Sequence, residues 1–164
     1  MFPRFSDVIA AIIDLKTSGR IADYAIAGAI AQTFWDEAIP TFDLDVLVLL
    51  GPRESVLVSL EPIYQWAKQR GYSKEAEHVV ISGVPVQFLP AFNELAEEAV
   101  VNAKILPFNG LPMRVVAPEY LIALWLQPPA NTHARRERAA KLRESVALDE
   151  ALLADLVARY DLSW

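Results

Sequence analysis

Cysteine is missing from the 164 residues. Disulfides, zinc–thiolate centres and cysteine nucleophiles are therefore excluded. Histidine is scarce: His78 and His133 are the whole supply, which argues against a histidine-rich metal site. The 6 glycines do not form a dinucleotide fingerprint or a Walker loop. Long apolar runs are also lacking. Val8 to Ile13 is bounded by Asp7 and Asp14, which is not a secretory leader, and no run approaches the length that spans a bilayer. Positive charge is in deficit, with a net charge of −6, so the chain lacks the basic surface of a general duplex-DNA binder. These absences predict a soluble, cytoplasmic protein with no membrane partner and no duplex DNA partner.

What is present is enough for a full core. Hydrophobic residues make up 54% and charged residues 22%, the balance of one ordinary domain with a modest appendage. Phe5 to Leu15 has helical spacing, with Ser6 placed to cap it and Thr17-Ser18-Gly19 to end it. Tyr24 to Ala27 reads as a short buried strand, broken by Gly28 before a helix from Ala29 to Phe34 or Trp35. Pro40 ends the next connection, and Asp43 to Leu50 reads as a central strand stopped by Gly51-Pro52. Ser55 to Gln69 is expected to be helical with a kink at Pro62. His78–Ser82 and Val84–Leu89 form a hairpin, and Phe92 to Ala103 an acidic helix. Asn109-Gly110 joins two further strands, Lys104–Phe108 and Leu111–Val116, in a type I′ turn. Pro118 to Leu126, His133 to Ser145 and Asp149 to Tyr160 are predicted helices. Hairpins mixed with helices argue against a doubly wound parallel sheet. The expectation is an α+β fold: a mixed β-sheet core over 1–117, flanked by helices, and a short C-terminal helical extension over 118–164 packed on it.

Asp43 and Asp45 head an apolar strand. Residues two apart on a strand share a face, so the two carboxylates lie side by side, where they repel and resist burial. Alone, such a pair also reads as a solvated turn residue and a strand-edge charge. A glycine at a helix start one element upstream favours the other reading: a divalent cation on the carboxylates, and phosphate at the free N–H groups of the helix. That is the equipment of phosphoryl transfer.

The stretch resembles the nucleotidyltransferase superfamily related to DNA polymerase beta, whose pattern is a hydrophobic residue, Gly, then Gly or Ser at a helix start, followed by an acid-hydrophobic-acid triplet. Ala27-Gly28-Ala29 and Thr41-Phe42-Asp43-Leu44-Asp45-Val46 occupy these two places, with Ala29 where Gly or Ser is usual. The hairpin Val80 to Pro90, the phrase Val116 to Ala123 and the helical tail read like the AbiEii-type and minimal nucleotidyltransferase group of toxin–antitoxin systems. The resemblance implies a nucleotidyltransferase-like fold, Asp43 and Asp45 as catalytic ligands of one or two Mg²⁺ ions, and Gly28 and Ala29 beside the phosphates of an NTP. It implies an RNA, protein or small-molecule acceptor and a cognate toxin or antitoxin. It also implies a third carboxylate on a neighbouring strand, a position that Gln87 occupies here; Glu75 and Glu77 are the nearest other acids. No lysine stands in Leu124-Trp125-Leu126, where relatives often carry one, and no Lys-Asp pair is evident in Ala134 to Arg138. Two functions follow: an Mg²⁺-dependent transferase of nucleoside monophosphate, or a catalytically degenerate relative that binds a nucleotide or a protein.

The one basic cluster, Arg135, Arg136, Arg138, Lys141 and Arg143, reads first as a solvated helix face ion-paired with Glu137 and Glu144, and second as a phosphate or RNA contact. His78 is expected to be partly buried and hydrogen-bonded. Glu94, Glu97 and Glu98 read as an exposed acidic face. Phe34, Trp35, Trp66, Phe88, Phe92 and Trp125 read as core, with Trp125 also placed to stack on a base.

Overall fold

The computed structural model describes residues 4–37, 43–51 and 59–164. Met1 to Pro3, Pro40, Thr41, Phe42, Pro52 and the start of the helix expected from Ser55 lie outside them. The described residues form α1 (Phe5–Thr17), β1 (Asp23–Ala27), α2 (Gly28–Trp35), β2 (Leu44–Leu49), α3 (Glu61–Gln69), β3 (Ser73–Glu75), β4 (His78–Ile81) and β5 (Val84–Pro90), followed by α4 (Glu94–Val101), β6 (Lys104–Phe108), β7 (Leu111–Val115), α5 (Pro118–Leu126), α6 (His133–Ser145) and α7 (Glu150–Arg159). The seven strands make one mixed sheet in the order β3-β4-β5-β2-β1-β7-β6. Strand β2 runs antiparallel to β1 and parallel to β5, and β1 runs parallel to β7. The fold is α+β, as the sequence predicts.

The middle of the sheet is covered on both faces. Tyr24 to Ala27 are buried without a break, and successive strand residues point to opposite faces. Trp66 of α3 is fully buried, and its indole N–H donates to Asp14 of α1 at 2.8 Å, beside the Arg70 pair to the same carboxylate. A side chain of that size costs about 3–5 kcal/mol when truncated, and α1 and α3 share the loss. Pro62 does not kink α3. It sits in the helix's first turn, where its missing N–H has no partner to lose. Ser6 does not cap α1 either; Arg4 holds that position, and the Ser6 hydroxyl accepts from Asn109 at 2.6 Å.

Both predicted hairpins form. Asn109 and Gly110 have φ of 47° and 80°, and Ser82 and Gly83 have 51° and 79°. The less obvious Ser-Gly turn therefore takes the same left-handed pair of conformations as Asn-Gly. The short strand β3 escapes sequence patterning because all three residues are exposed. Phe92, expected in the core, is 71% exposed.

Helix α5 packs against α2 and α4, and α6 and α7 pack against α5. Helix α5 is almost entirely buried, Glu119 included. The Glu119 carboxylate accepts from the Asp149 N–H at the start of α7. Glu98 on α4 is not part of an exposed acidic face. It receives two bonds from Arg159 at 2.8 Å, one from Tyr120 at 2.7 Å and one from Tyr160 at 2.9 Å, which tie α4, α5 and α7 together.

Candidate functional site

Register builds the site. Across the sheet, Ala27 faces Asp45, Asp45 faces Gln87, Gln87 faces His78, and His78 faces Glu75. Directly paired residues share a face, so this row sets the Asp45 carboxylate beside the Gln87 amide. It also decides between the other acids. Glu75 stands three strands from Asp45, which at strand spacing is about 14 Å, beyond shared-ligand reach. Glu77 approaches only the His78 ring, at 3.9 Å. No group of three His, Asp or Glu side chains able to hold a metal ion occurs among the described residues.

Asp43 lies one residue ahead of β2 rather than inside it. Its Oδ2 is 3.1 Å from Nε2 of His78, so His78 crosses over Gln87 to reach it. The sequence predicts His78 as a bonded strand residue but not its place at the acid pair, because the link depends on two strand pairings that no local pattern encodes.

Asp45 is in an uneasy state. Burial, and then the charge of Asp43, push its carboxyl up to about 6, against the opposing pull of His78, Arg135 and Arg138. Gly28 explains the close packing. It takes φ of +63°, and a Cβ built there would collide with the Asp45 carboxylate. Glycine is needed twice over, for the backbone conformation and for the space. Helix α2 starts at this residue, so Gly28 and Ala29 lie at its N-terminus against the acid. The donor set suits one hard cation: two carboxylates and an amide oxygen leave room for water and phosphate oxygens, the pattern Mg²⁺ favours.

Beside the acid is a cavity of about 240 Å³, lined in part by Gly28, Asp45, Leu124, Trp125, Arg135 and Arg138. On α6, Arg135 and Arg138 stand on the face that also buries Ala139 and Leu142, the i, i+3, i+4 and i+7 spacing of one stripe. Among the described residues no ion pair joins the basic cluster to Glu137 or Glu144. Glu137 meets His133 at 3.1 Å, and Arg143 meets Glu150 at 3.5 Å. Trp125 is nearly buried, with the Arg138 guanidinium 5.7 Å from its ring centroid.

The overall fold recurs in known structures. The chain has a nucleotidyltransferase fold. It is similar to ANT(2'')-Ia as crystallised with adenylyl-2''-tobramycin, at 18% identity and a TM-score of 0.50, over 93% of this chain and 97% of that one. The solution structure of ANT(2'')-Ia, described as an antibiotic-resistance factor, matches at 17% identity and 0.52 over 98% and 95%. An antigenic nucleotidyltransferase-like protein from Paracoccidioides brasiliensis matches at 16% identity and 0.52 over 94% and 87%. No family model and no curated protein matches the chain. No helix among the described residues is long and apolar enough to cross a membrane.

Proposed function

We propose that the protein is a cytoplasmic, Mg²⁺-dependent nucleotidyltransferase that moves a nucleoside monophosphate from an NTP to a hydroxyl. The observation that carries this reading is Gly28: a left-handed glycine that starts a helix and leaves room only for the carboxylate of Asp45. Asp43 and Asp45 would hold the cation, and when bound it would supply charge neutralisation on the triphosphate. The N–H groups at the start of α2 would receive phosphate oxygens. In the reaction the acceptor oxygen bonds to the α-phosphorus, the α–β anhydride bond breaks, pyrophosphate leaves, and the hydroxyl proton passes to water. His78 orients Asp43 through their 3.1 Å contact.

Two classes of acceptor fit this reading. An antibiotic is one class, by likeness to ANT(2'')-Ia with its adenylylated tobramycin. RNA or a protein, within a toxin–antitoxin pair, is the class implied by the sequence motifs. Labelled NTP incubated with RNA, protein and aminoglycoside acceptors separates these, with Asp43→Asn and Asp45→Asn as controls. Transfer that persists undiminished in both variants would place the chemistry elsewhere.

One observation favours a second reading, a fold relative that binds nucleotide without turnover. Gln87 is the residue facing Asp45, and an amide is no general base. The variant Gln87→Asp discriminates: a gain in transfer of about tenfold or more marks the wild-type chain as the attenuated form. Unchanged transfer shows that Gln87 suffices.

A further inference from the structure

The arginines of this chain divide into two sets. Arg4, Arg70, Arg114, Arg143 and Arg159 each meet a carboxylate. Among the described residues Arg20, which donates to Gln69 at 2.8 Å, and Arg135, Arg136 and Arg138 do not. Among the described residues Arg135 donates to the Ala130 carbonyl at 3.1 Å and Arg138 lies over Trp125. In a chain with net charge −6, carboxylates are plentiful, yet these guanidinium groups meet none among the described residues. Of these, Arg135 and Arg138 line the cavity that contains Gly28 and Asp45.

We infer that Arg135 and Arg138 are a polyphosphate-binding pair, so that the C-terminal extension supplies part of the ligand site. The proposal rests on the nucleotidyl-transfer reading for the identity of the ligand, an NTP, and extends it to the residues that hold the phosphates. Helix α6 positions both guanidinium groups on one stripe, one turn apart. Their planar forks suit phosphate oxygens. Trp125 and Leu124 form the apolar side of the same cavity. The arrangement replaces, from a different helix, the cation that Leu124-Trp125-Leu126 lacks.

The test uses inorganic tripolyphosphate and ATP, GTP, CTP and UTP as separate ligands of the full chain, read by thermal shift and titration calorimetry with and without Mg²⁺. The wild type is expected to be stabilised by tripolyphosphate alone, because the arginines recognise phosphate and not the base. Arg135→Gln with Arg138→Gln should weaken tripolyphosphate and NTP binding about 100-fold, roughly tenfold for each charge-assisted contact. Arg135→Lys with Arg138→Lys should recover part of that loss. Arg136→Gln, which removes the same charge beside the cavity rather than in it, should leave affinity unchanged. Equal affinity in the double-Gln variant, or no tripolyphosphate binding by the wild type, overturns the inference. Arginine-dependent tripolyphosphate binding without any nucleotidyl transfer would uphold the phosphate site and count against the catalytic reading instead.

Discussion

Asp45 and Glu98 are both partly buried carboxylates near arginines, and the fold treats them oppositely. Arg159 hydrogen-bonds to Glu98, with Tyr120 and Tyr160 adding to it, and together they outweigh burial and hold its carboxyl down to about 2. Burial and the neighbouring Asp43 push Asp45 up to about 6. Donors converge on the first and stand back from the second. The difference separates a joint from a site. At Glu98 every nearby group has already found its partner, so the cluster ties helices together. At Asp45 no hydrogen-bond donor meets the carboxylate among the described residues, and a ligand with both positive and anionic parts suits the acid and the arginines beside it.

The sharpest way to break this contrast is substitution at the acid pair. Asp43→Asn or Asp45→Asn should lower transfer of labelled nucleotide on the order of a thousandfold. Stability should not fall with it. Above pH 6 the ionised Asp45 costs folding free energy, so Asp45→Asn should stabilise the ligand-free protein by roughly 1–2 kcal/mol in urea unfolding at pH 7. A destabilised Asp45→Asn protein would show that the carboxylate is a structural partner after all.

Glycine provides a second comparison. Gly28 and Gly110 have similar backbone angles, at φ +63° and +80°, but only the first has a neighbour where a Cβ would stand. Gly28→Ala should reduce transfer about 100-fold by displacing the carboxylate. Gly110→Ala should cost about 1 kcal/mol through the backbone alone and leave transfer intact.

On the structural side, Glu98→Gln should destabilise the fold by about 2 kcal/mol, measured in urea, with no change in KM for NTP. The pH dependence follows from the depressed carboxyl. Its contribution is fully present above the ordinary value of 4.5 and is lost as pH falls toward about 2. The stability gap between wild type and Glu98→Gln should therefore close between those values in acid titration. A gap that widens on acidification would mean that Glu98 is not the anchor. The smallest effect is at the start of α6, where the Thr132 side chain accepts from the Arg135 N–H at 3.3 Å. Thr132→Ala should cost about 1 kcal/mol and loosen NTP binding slightly, because the cap sets the helix end that carries Arg135.

Much of this protein is local enough to be read from the chain. Helical spacing, the Asn-Gly turn and the apolar runs of β1 and β2 act through neighbours a few residues apart, and the predicted strands, hairpins and tail helices are there. Asp43, Asp45 and Gly28 stand out because two adjacent charges ahead of a buried strand violate hydrophobic patterning unless something compensates them. Pro62 shows the limit of local reasoning: the same residue that kinks a helix interior is harmless in a first turn, and only the boundary decides.

Sequence alone determined the acid pair, the glycine beside it and the alternation that buries one sheet between helices. Tertiary structure decided which residues surround them. Gln87 and His78 reach the aspartates through strand register, Glu75 is set too far away by the same register, and Glu98 becomes a joint only when α7 docks. The two arginines turn from a solvated face into a cavity wall because α6 packs on α5. Each of these contacts joins segments remote along the chain, and their formation depends on side-chain packing across the whole core, which no short stretch of sequence contains.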